Sequence, residues 1–128
     1  MKVKVLHLLK ASGAVDNLHI KCPVAYSTVR ALNNLRKRLR VEADSIRAEQ
    51  MKLVELHNGK LQEGTAVVEF PTPGDRMSFE SDWNTFTEDE VEFDVARLDL
   101  SEYTDFIVFQ NSGYDLDVLD PFILFEKE

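Results

Sequence analysis

Apolar residues recur every three or four positions between residues 23 and 57, and no glycine or proline interrupts residues 24–57. This spacing is typical of an α-helix with one face toward a core. Pro23 suits the first turn of such a helix, where its missing N–H needs no partner. The apolar or small residues at this spacing are Ala25, Val29, Leu32, Leu35, Leu39, Ala43, Ile46 and Leu53. The pattern predicts one long helix over about 23–57, ended by Asn58 and Gly59.

The first residues combine two patterns. Val3 and Val5 alternate with lysines as in a short strand, whereas the leucines at 6, 8 and 9 suit a helix that stops near Gly13. We predict a short helix after an extended beginning.

The second half predicts shorter elements. Residues 65–70 suit a strand, and Ser78 suits the cap of a short helix that holds Phe79, Trp83 and Phe86. Residues 90–98 alternate apolar with acidic side chains, which is typical of a half-buried strand. Residues 106–109 suit a strand or a short helix, and residues 115–119 suit one helical turn. Together these elements predict one α+β domain over residues 1–128, with the long helix packed on a small, mainly antiparallel sheet with short helices.

The predicted long helix exceeds the size of its domain. At about 1.5 Å per residue, a helix over 23–57 is roughly 50 Å long, whereas a compact domain of this chain length is roughly 36 Å across. Such a helix bends, breaks or pairs its exposed end with another chain. We therefore expect a homo-oligomer.

Charge is divided unevenly along the chain. Residues 1–60 hold 12 Lys and Arg against 5 Asp and Glu, a formal charge of +7. Residues 61–128 hold 3 against 18, a formal charge of −15. Because oppositely charged surfaces favour their own docking, we expect the halves to attract each other, within one chain or between chains.

The most basic stretch lies inside the predicted long helix. A helical projection places Arg36, Arg40 and Arg47 on one flank of the apolar stripe and Arg38 on the opposite flank, and the run also contains Lys37. A basic helix of this kind suits binding along nucleic-acid phosphates. The alternative is a solvated or partner-facing flank, where arginines meet carboxylates.

The acidic counterpart follows the predicted short helix. Glu90, Glu92 and Asp94 would share the wet face of one strand. They suit a hard cation, although no calcium-loop pattern surrounds them, or they complement the basic helix and keep the chain in solution. Just upstream, Trp83 suits either the core or an aromatic anchor for a partner.

Motifs for catalysis and cofactor binding are absent from the sequence. Phosphate-binding glycine loops and the hydrolase elbow do not occur, and Cys22 is the only cysteine. The apolar runs are too short to cross a membrane or to form a secretory signal. We therefore expect no enzyme activity, no cofactor, no metal site, no membrane contact and a cytoplasmic location.

The order of these features resembles a family of small uncharacterised proteins that are encoded by phages and prophages, often near tail-module genes. The resemblance lies in the entry to the long helix at 18–26, the acidic strand at 90–95 and the last turn at 116–123. It implies an origin and a setting but carries no catalytic residues.

Two functions follow as hypotheses. The first is a phage accessory or assembly protein that acts by protein–protein contact with its own copies or with other phage proteins. The second is a nucleic-acid-directed regulator, which either binds nucleic acid through the basic helix or mimics DNA through its acidic half and blocks a host protein.

Overall fold

The computed structural model describes residues 1–64, 67–110 and 116–126, in which helices alternate with short strands. The strands are β1 (Lys2–Lys4), β2 (Leu18–Ile20), β3 (Lys60–Leu61), β4 (Val68–Glu69), β5 (Glu90–Glu92), β6 (Leu98–Asp99), β7 (Ile107–Phe109) and β8 (Ile123–Leu124). The helices are α1 (Val5–Asp16), α2 (Tyr26–Leu56), α3 (Pro73–Glu88) and α4 (Leu116–Leu119), and a 3₁₀ helix covers Ser101–Phe106. This content confirms the predicted α+β class, with a short helix before a long one.

The described strands form four two-stranded ribbons rather than one small sheet. β1 pairs with β5, β2 with β7 and β3 with β4, all antiparallel, whereas β6 and β8 are parallel. The predicted strand over 90–98 is divided because its second part binds a distant segment of the chain. The N–H of Phe93 still bonds the carbonyl of Met1 at 2.9 Å, but Arg97 donates to the Asp120 carbonyl at 2.9 Å. The chain therefore leaves β1 and joins β8.

Helix α1 lies in the core, where it contacts α2, α3 and α4. Its buried residues are Val5, Leu8, Ala11, Ser12, Ala14 and Val15. The small ones allow neighbouring helices to approach closely, because interaxial distance depends on the side chains at the contact. The helix continues through Gly13, where the sequence predicted its end. It ends at Asp16, since Asn17 donates its backbone N–H to the Ala14 carbonyl at 3.2 Å and its side-chain amide to the Gly13 carbonyl at 2.9 Å.

Helix α2 begins at Tyr26, three residues after the predicted start, and ends at Leu56. Pro23 is therefore not in its first turn. The delay has a tertiary cause, because the N–H of Lys21 bonds the Phe106 carbonyl at 2.8 Å and continues the β2–β7 ribbon. The chain between them stays extended, with Ala25 at φ −57° and ψ 139°.

The buried side of α2 follows the predicted period. We call its buried residues the inner stripe: Leu32, Leu35, Leu39, Ala43, Ile46 and Val54. Three predicted members differ, since Ala25 and Val29 are exposed near the helix start and Leu53 is half-buried. Four members of the inner stripe, Leu32, Leu35, Leu39 and Ile46, belong to the same core as Leu18, Phe93, Leu100, Leu119, Phe122 and Ile123.

Helix α3 begins at Pro73, five residues before the predicted cap at Ser78. Thr72 is the actual N-cap, because its hydroxyl oxygen accepts the backbone N–H of Asp75 at 3.1 Å. The aromatic residues Phe79, Trp83 and Phe86 are all half-buried on one side of this helix.

The other short elements agree in part with the sequence. Within the predicted strand at 65–70, β4 covers only two residues, and residues 65 and 66 lie outside the described part of the chain. The sequence predicted a strand or a short helix at 106–109. The structure has both, because the 3₁₀ helix ends at Phe106 and strand β7 follows. The predicted turn at 115–119 is α4, and residue 115 lies outside the described residues.

The C-terminal end of α2 is covered by its own chain. The 31 residues of α2 make it about 46 Å long. The backbone N–H of Gly59 bonds the Val54 carbonyl at 2.8 Å, and the Phe70 and Phe79 rings lie 5.2 Å apart. His57 Nε2 lies 2.6 Å from Asp82 Oδ2 of α3. The β3–β4 hairpin and α3 thus support the end that the sequence predicted to overhang.

Gly59 occupies a space that a side chain would fill. A Cβ at this position would lie 2.7 Å from Val54 Cγ1 and 2.8 Å from Phe70 Cε1. We expect Gly59→Ala to lower the free energy of unfolding by about 1–3 kcal/mol, because the buried contact becomes overpacked. Urea denaturation followed by circular dichroism measures the change.

Gly74→Ala is the matched control, since its Cβ would meet only Thr72 Oγ1 at 3.7 Å. Equal stability of the two variants would contradict the close contact at Gly59.

Arg36 joins α2 to the end of α1. Its Nε donates to the Val15 carbonyl at 3.1 Å, and its Nη2 donates to the Leu18 carbonyl at 2.5 Å. The Val15 carbonyl lies in the last turn of α1, where the helix dipole favours a cation, and the Leu18 carbonyl lies at the start of β2. No basic residue lies in the last turn of α1 itself. An arginine from a distant part of the chain therefore does the work of a C-terminal cap.

We expect Arg36→Met to lower the free energy of unfolding by about 1.5–3 kcal/mol, the usual worth of hydrogen bonds to a charged group. Lys37→Met is the control, because the side chain of Lys37 is exposed and has no hydrogen bond or ion pair within the described residues. Its effect should stay within about 0.5 kcal/mol. Thermal and urea denaturation of both variants test this, and equal losses would refute the capping role of Arg36.

Candidate interaction surfaces

The basic run of α2 binds its own chain. Arg36 and Arg40 lie toward the end of α1, where Arg40 Nη2 is 3.1 Å from Asp16 Oδ1. On the other flank, the Arg38 guanidinium lies 4.9 Å from the centre of the Phe93 ring. Its Nη1 also donates to the Asp94 carbonyl at 2.5 Å. The flanks thus agree with the helical projection, and three cations of the run already have partners.

The remaining two cations are differently placed. Lys37 is exposed. Arg47 Nη1 lies 3.7 Å from Asp44 Oδ1, one turn earlier on the same helix. An exposed pair at this separation contributes little to stability. Arg47 and Lys37 are therefore both exposed cations without a strong partner among the described residues.

Burial of part of the Arg36 side chain lowers its pKa, and the neighbouring Arg40 adds to this effect while Asp16 opposes it. Arginine keeps its proton in proteins because its ordinary pKa lies far above physiological pH. The contacts with the Val15 and Leu18 carbonyls are therefore made by a charged guanidinium at all physiological pH values.

The acidic strand meets β1 rather than the basic helix. In the β1–β5 ribbon, Lys2 is opposite Glu92 and Lys4 is opposite Glu90. Opposite charges at such positions stabilise a ribbon modestly. The Met1 amino group lies 3.2 Å from Glu92 Oε2 and 3.0 Å from Asp94 Oδ1. Of these three acidic residues, only Asp94 touches the basic helix, through its backbone carbonyl.

Lys4 Nζ also binds Glu88 Oε2 at 2.8 Å. The hydrogen bond and the charge of Glu88 raise the pKa of Lys4, and Glu90 adds to this effect. Glu88 and Glu90 thus both interact with Lys4 of β1. Within the described residues, no group of three or more His, Cys, Asp or Glu is placed to hold a metal ion.

Trp83 lies on the inner side of α3. Its ring stacks on Phe86 with the centroids 5.7 Å apart and an angle of 25° between the planes. Both rings pack against the main core. Of the two predicted roles of Trp83, the structure favours core packing over a protruding anchor.

A shallow groove of about 290 Å³ lies between the β2–β7 ribbon and the start of α2. Its lining includes Cys22 and His19, which lie three residues apart in sequence and are residue types that can serve as a nucleophile and a base. His19 Nε2, however, lies 3.3 Å from Gln110 Oε1. No hydrogen bond joins Cys22 to His19 among the residues that the structure describes.

The side of α2 opposite the inner stripe is exposed. We call it the outer face and define it by seven exposed residues: Arg30, Lys37, Val41, Asp44, Ala48, Met51 and Glu55. Their steps of three, four or seven residues put them on one side of the helix. Val41 is 67% exposed and Met51 is 37% exposed. The outer face thus combines apolar and charged residues in one line.

The charges of the outer face are separated along the helix. The basic residues Arg30 and Lys37 lie in its N-terminal half, and the acidic residues Asp44 and Glu55 lie in its C-terminal half. Within the described part of the chain, only Asp44 of these four has an ion pair, at 3.7 Å to Arg47. Arg30, Lys37 and Glu55 have no ion pair within the described residues.

Sequence reasoning named Lys37 but missed the rest of the outer face. The sequence does carry a signal for this face, because Val41, Ala48 and Met51 are apolar or small residues that fall outside the inner stripe at helical spacing. The basic run obscured this signal because it dominates the composition of the helix.

None of the described helices is long and apolar enough to cross a membrane. A scan of protein-family models and searches of curated proteins and of solved structures find no match to this chain.

Proposed function

We propose that this protein acts by protein–protein contact, as a non-catalytic accessory or assembly protein, and that the outer face of α2 is its contact surface. The phage or prophage setting and the cytoplasmic location belong to the same proposal. They rest on the sequence resemblance and on the sequence composition described above.

The observation that carries the proposal is the makeup of the outer face. A helix face that only meets water is normally polar. Here Val41, Ala48 and Met51 are exposed at steps of seven and three residues, with charged residues between them. Apolar residues at this spacing, flanked by charges, are typical of a helix that pairs with another helix. The surface therefore suits an elongated partner that lies along α2.

The nucleic-acid alternative has less support, because most of the basic run has partners inside the chain. Arg36, Arg38 and Arg40 already bind carbonyls, an aromatic ring and a carboxylate. To bind phosphates, these side chains would have to give up those contacts. Mimicry of DNA by the acidic half stays a prediction.

The purified chain should bind a labelled 20-base-pair DNA duplex no more tightly than roughly 100 µM at physiological salt, the weak end of non-specific binding. Fluorescence anisotropy over a range of salt concentrations measures this. Tighter binding that weakens with salt and disappears in the Lys37→Glu variant would favour the basic-helix alternative instead.

Site-specific photo-crosslinking tests the contact surface directly. A photoreactive amino acid at Val41 or at Ala48, introduced in cells that naturally make the chain, should form covalent protein adducts of discrete mass. Exposed Ser81 on α3 is the control position. Adducts at Ser81 as abundant as those at Val41, or none at either outer-face position, would refute the proposal.

A further inference from the structure

We infer that the occupant of the outer face is a second copy of this chain, whose α2 lies antiparallel to the first. This inference rests on the proposed function and adds the identity and orientation of the partner.

The order of charges along the outer face carries the argument. Arg30 and Lys37 precede Asp44 and Glu55. When two copies lie parallel, each residue faces its own counterpart, and like charges meet at every charged position. When they lie antiparallel, the basic half of each helix faces the acidic half of the other. Complementary charges of this kind set the orientation and choice of partner in helix pairs.

The spacing allows the outer face to pair with itself. Paired helices contact each other through residues that repeat every 3.5 positions on average. An antiparallel register that places Arg30 opposite Glu55 of the second copy pairs six of the seven outer-face residues with one another and leaves Met51 opposite Asn34. In that register Val41 lies opposite Asp44, and Lys37 lies opposite Ala48, one turn from Asp44. The two-fold axis makes each of these contacts twice.

The charged side chains of the outer face have no strong contacts within the described part of the chain. The side chains of Arg30, Lys37 and Glu55 have no ion pair or hydrogen bond among the described residues, and the side chain of Asp44 has only its long contact with Arg47. By contrast, Arg36, Arg38 and Arg40 on the sides of the helix are engaged with their own chain. The cations that a second copy would meet are thus those without strong internal partners.

The size of the contact predicts a weak dimer. The strip from residue 30 to residue 55 is about 39 Å long and one helix wide, which puts it at the small end of specific interfaces. Only three of its seven residues are apolar or small. We therefore expect the dimer at micromolar or higher protein concentration, weakening as salt screens the exposed charges.

Sedimentation equilibrium of the purified chain and of two variants tests the inference. In Arg30→Glu/Lys37→Glu the whole outer face becomes acidic, and the dimer dissociation constant should rise about tenfold or more. Adding Asp44→Lys/Glu55→Lys to the same chain reverses the order of charges and keeps the net charge of the unmodified protein. This four-fold variant should regain the dimer, because an antiparallel pair is again complementary.

Lys10→Glu/Lys21→Glu is the control, since it makes the same change of net charge at exposed lysines off the outer face. It should leave the dissociation constant unchanged. Circular dichroism melts establish that each variant keeps its helices.

Three results would overturn the inference. A monomer at all concentrations excludes the second copy, and it leaves the proposed function standing if Val41 still crosslinks to a different protein. A dimer indifferent to Arg30→Glu/Lys37→Glu forms elsewhere on the molecule. A dimer lost in that variant but not regained in the folded four-fold variant is not antiparallel.

Discussion

The contact between α1 and the inner stripe of α2 is the constraint on which the other parts of this structure depend. Ala11 and Ala14 of α1 and Leu39 of α2 are fully buried in the core. Interiors are close-packed, so such contacts leave little freedom in how the two helices lie together. Because β1 leads directly into α1, this contact also places the β1–β5 ribbon.

The same contact decides how the basic run is used. With α1 against the inner stripe, the end of α1 comes within reach of Arg36, which donates to the Val15 carbonyl of α1 and to the Leu18 carbonyl of β2. Arg38 on the other flank also donates to a carbonyl, that of Asp94. Hydrogen bonds from a charged group are stronger than neutral ones, especially where water is partly excluded. The arginines of this helix act mainly as connectors between distant backbone segments.

The C-terminal end of α2 is supported by contacts within its own chain. The β3–β4 hairpin and α3 meet Val54 and His57 there. Length by itself therefore does not require a partner, contrary to the argument from domain size. The case for a second copy rests instead on the outer face, where exposed apolar residues and separated charges lie opposite the buried stripe.

Local periodicity in the sequence determined the long helix, its buried side, the two flanks of arginines and the aromatic side of α3. These features depend on residues a few positions apart, and a helix places such residues on one face. The start of α2 was three residues wrong because Lys21 is held by Phe106, far away in sequence. Gly13 did not end α1, since Asn17 closes the helix and Arg36 binds its Val15 carbonyl.

Only the tertiary structure decided which charged groups meet. Composition suggested that the acidic half complements the basic helix, but β1 pairs with β5, so Lys2 and Lys4 face Glu92 and Glu90. Strands of two or three residues carry too little pattern to specify their partners. The sequence also does not show which carbonyl an arginine binds, because every residue has a backbone carbonyl. The packing of the helices determines which distant charged groups meet. The local sequence pattern does not specify that packing.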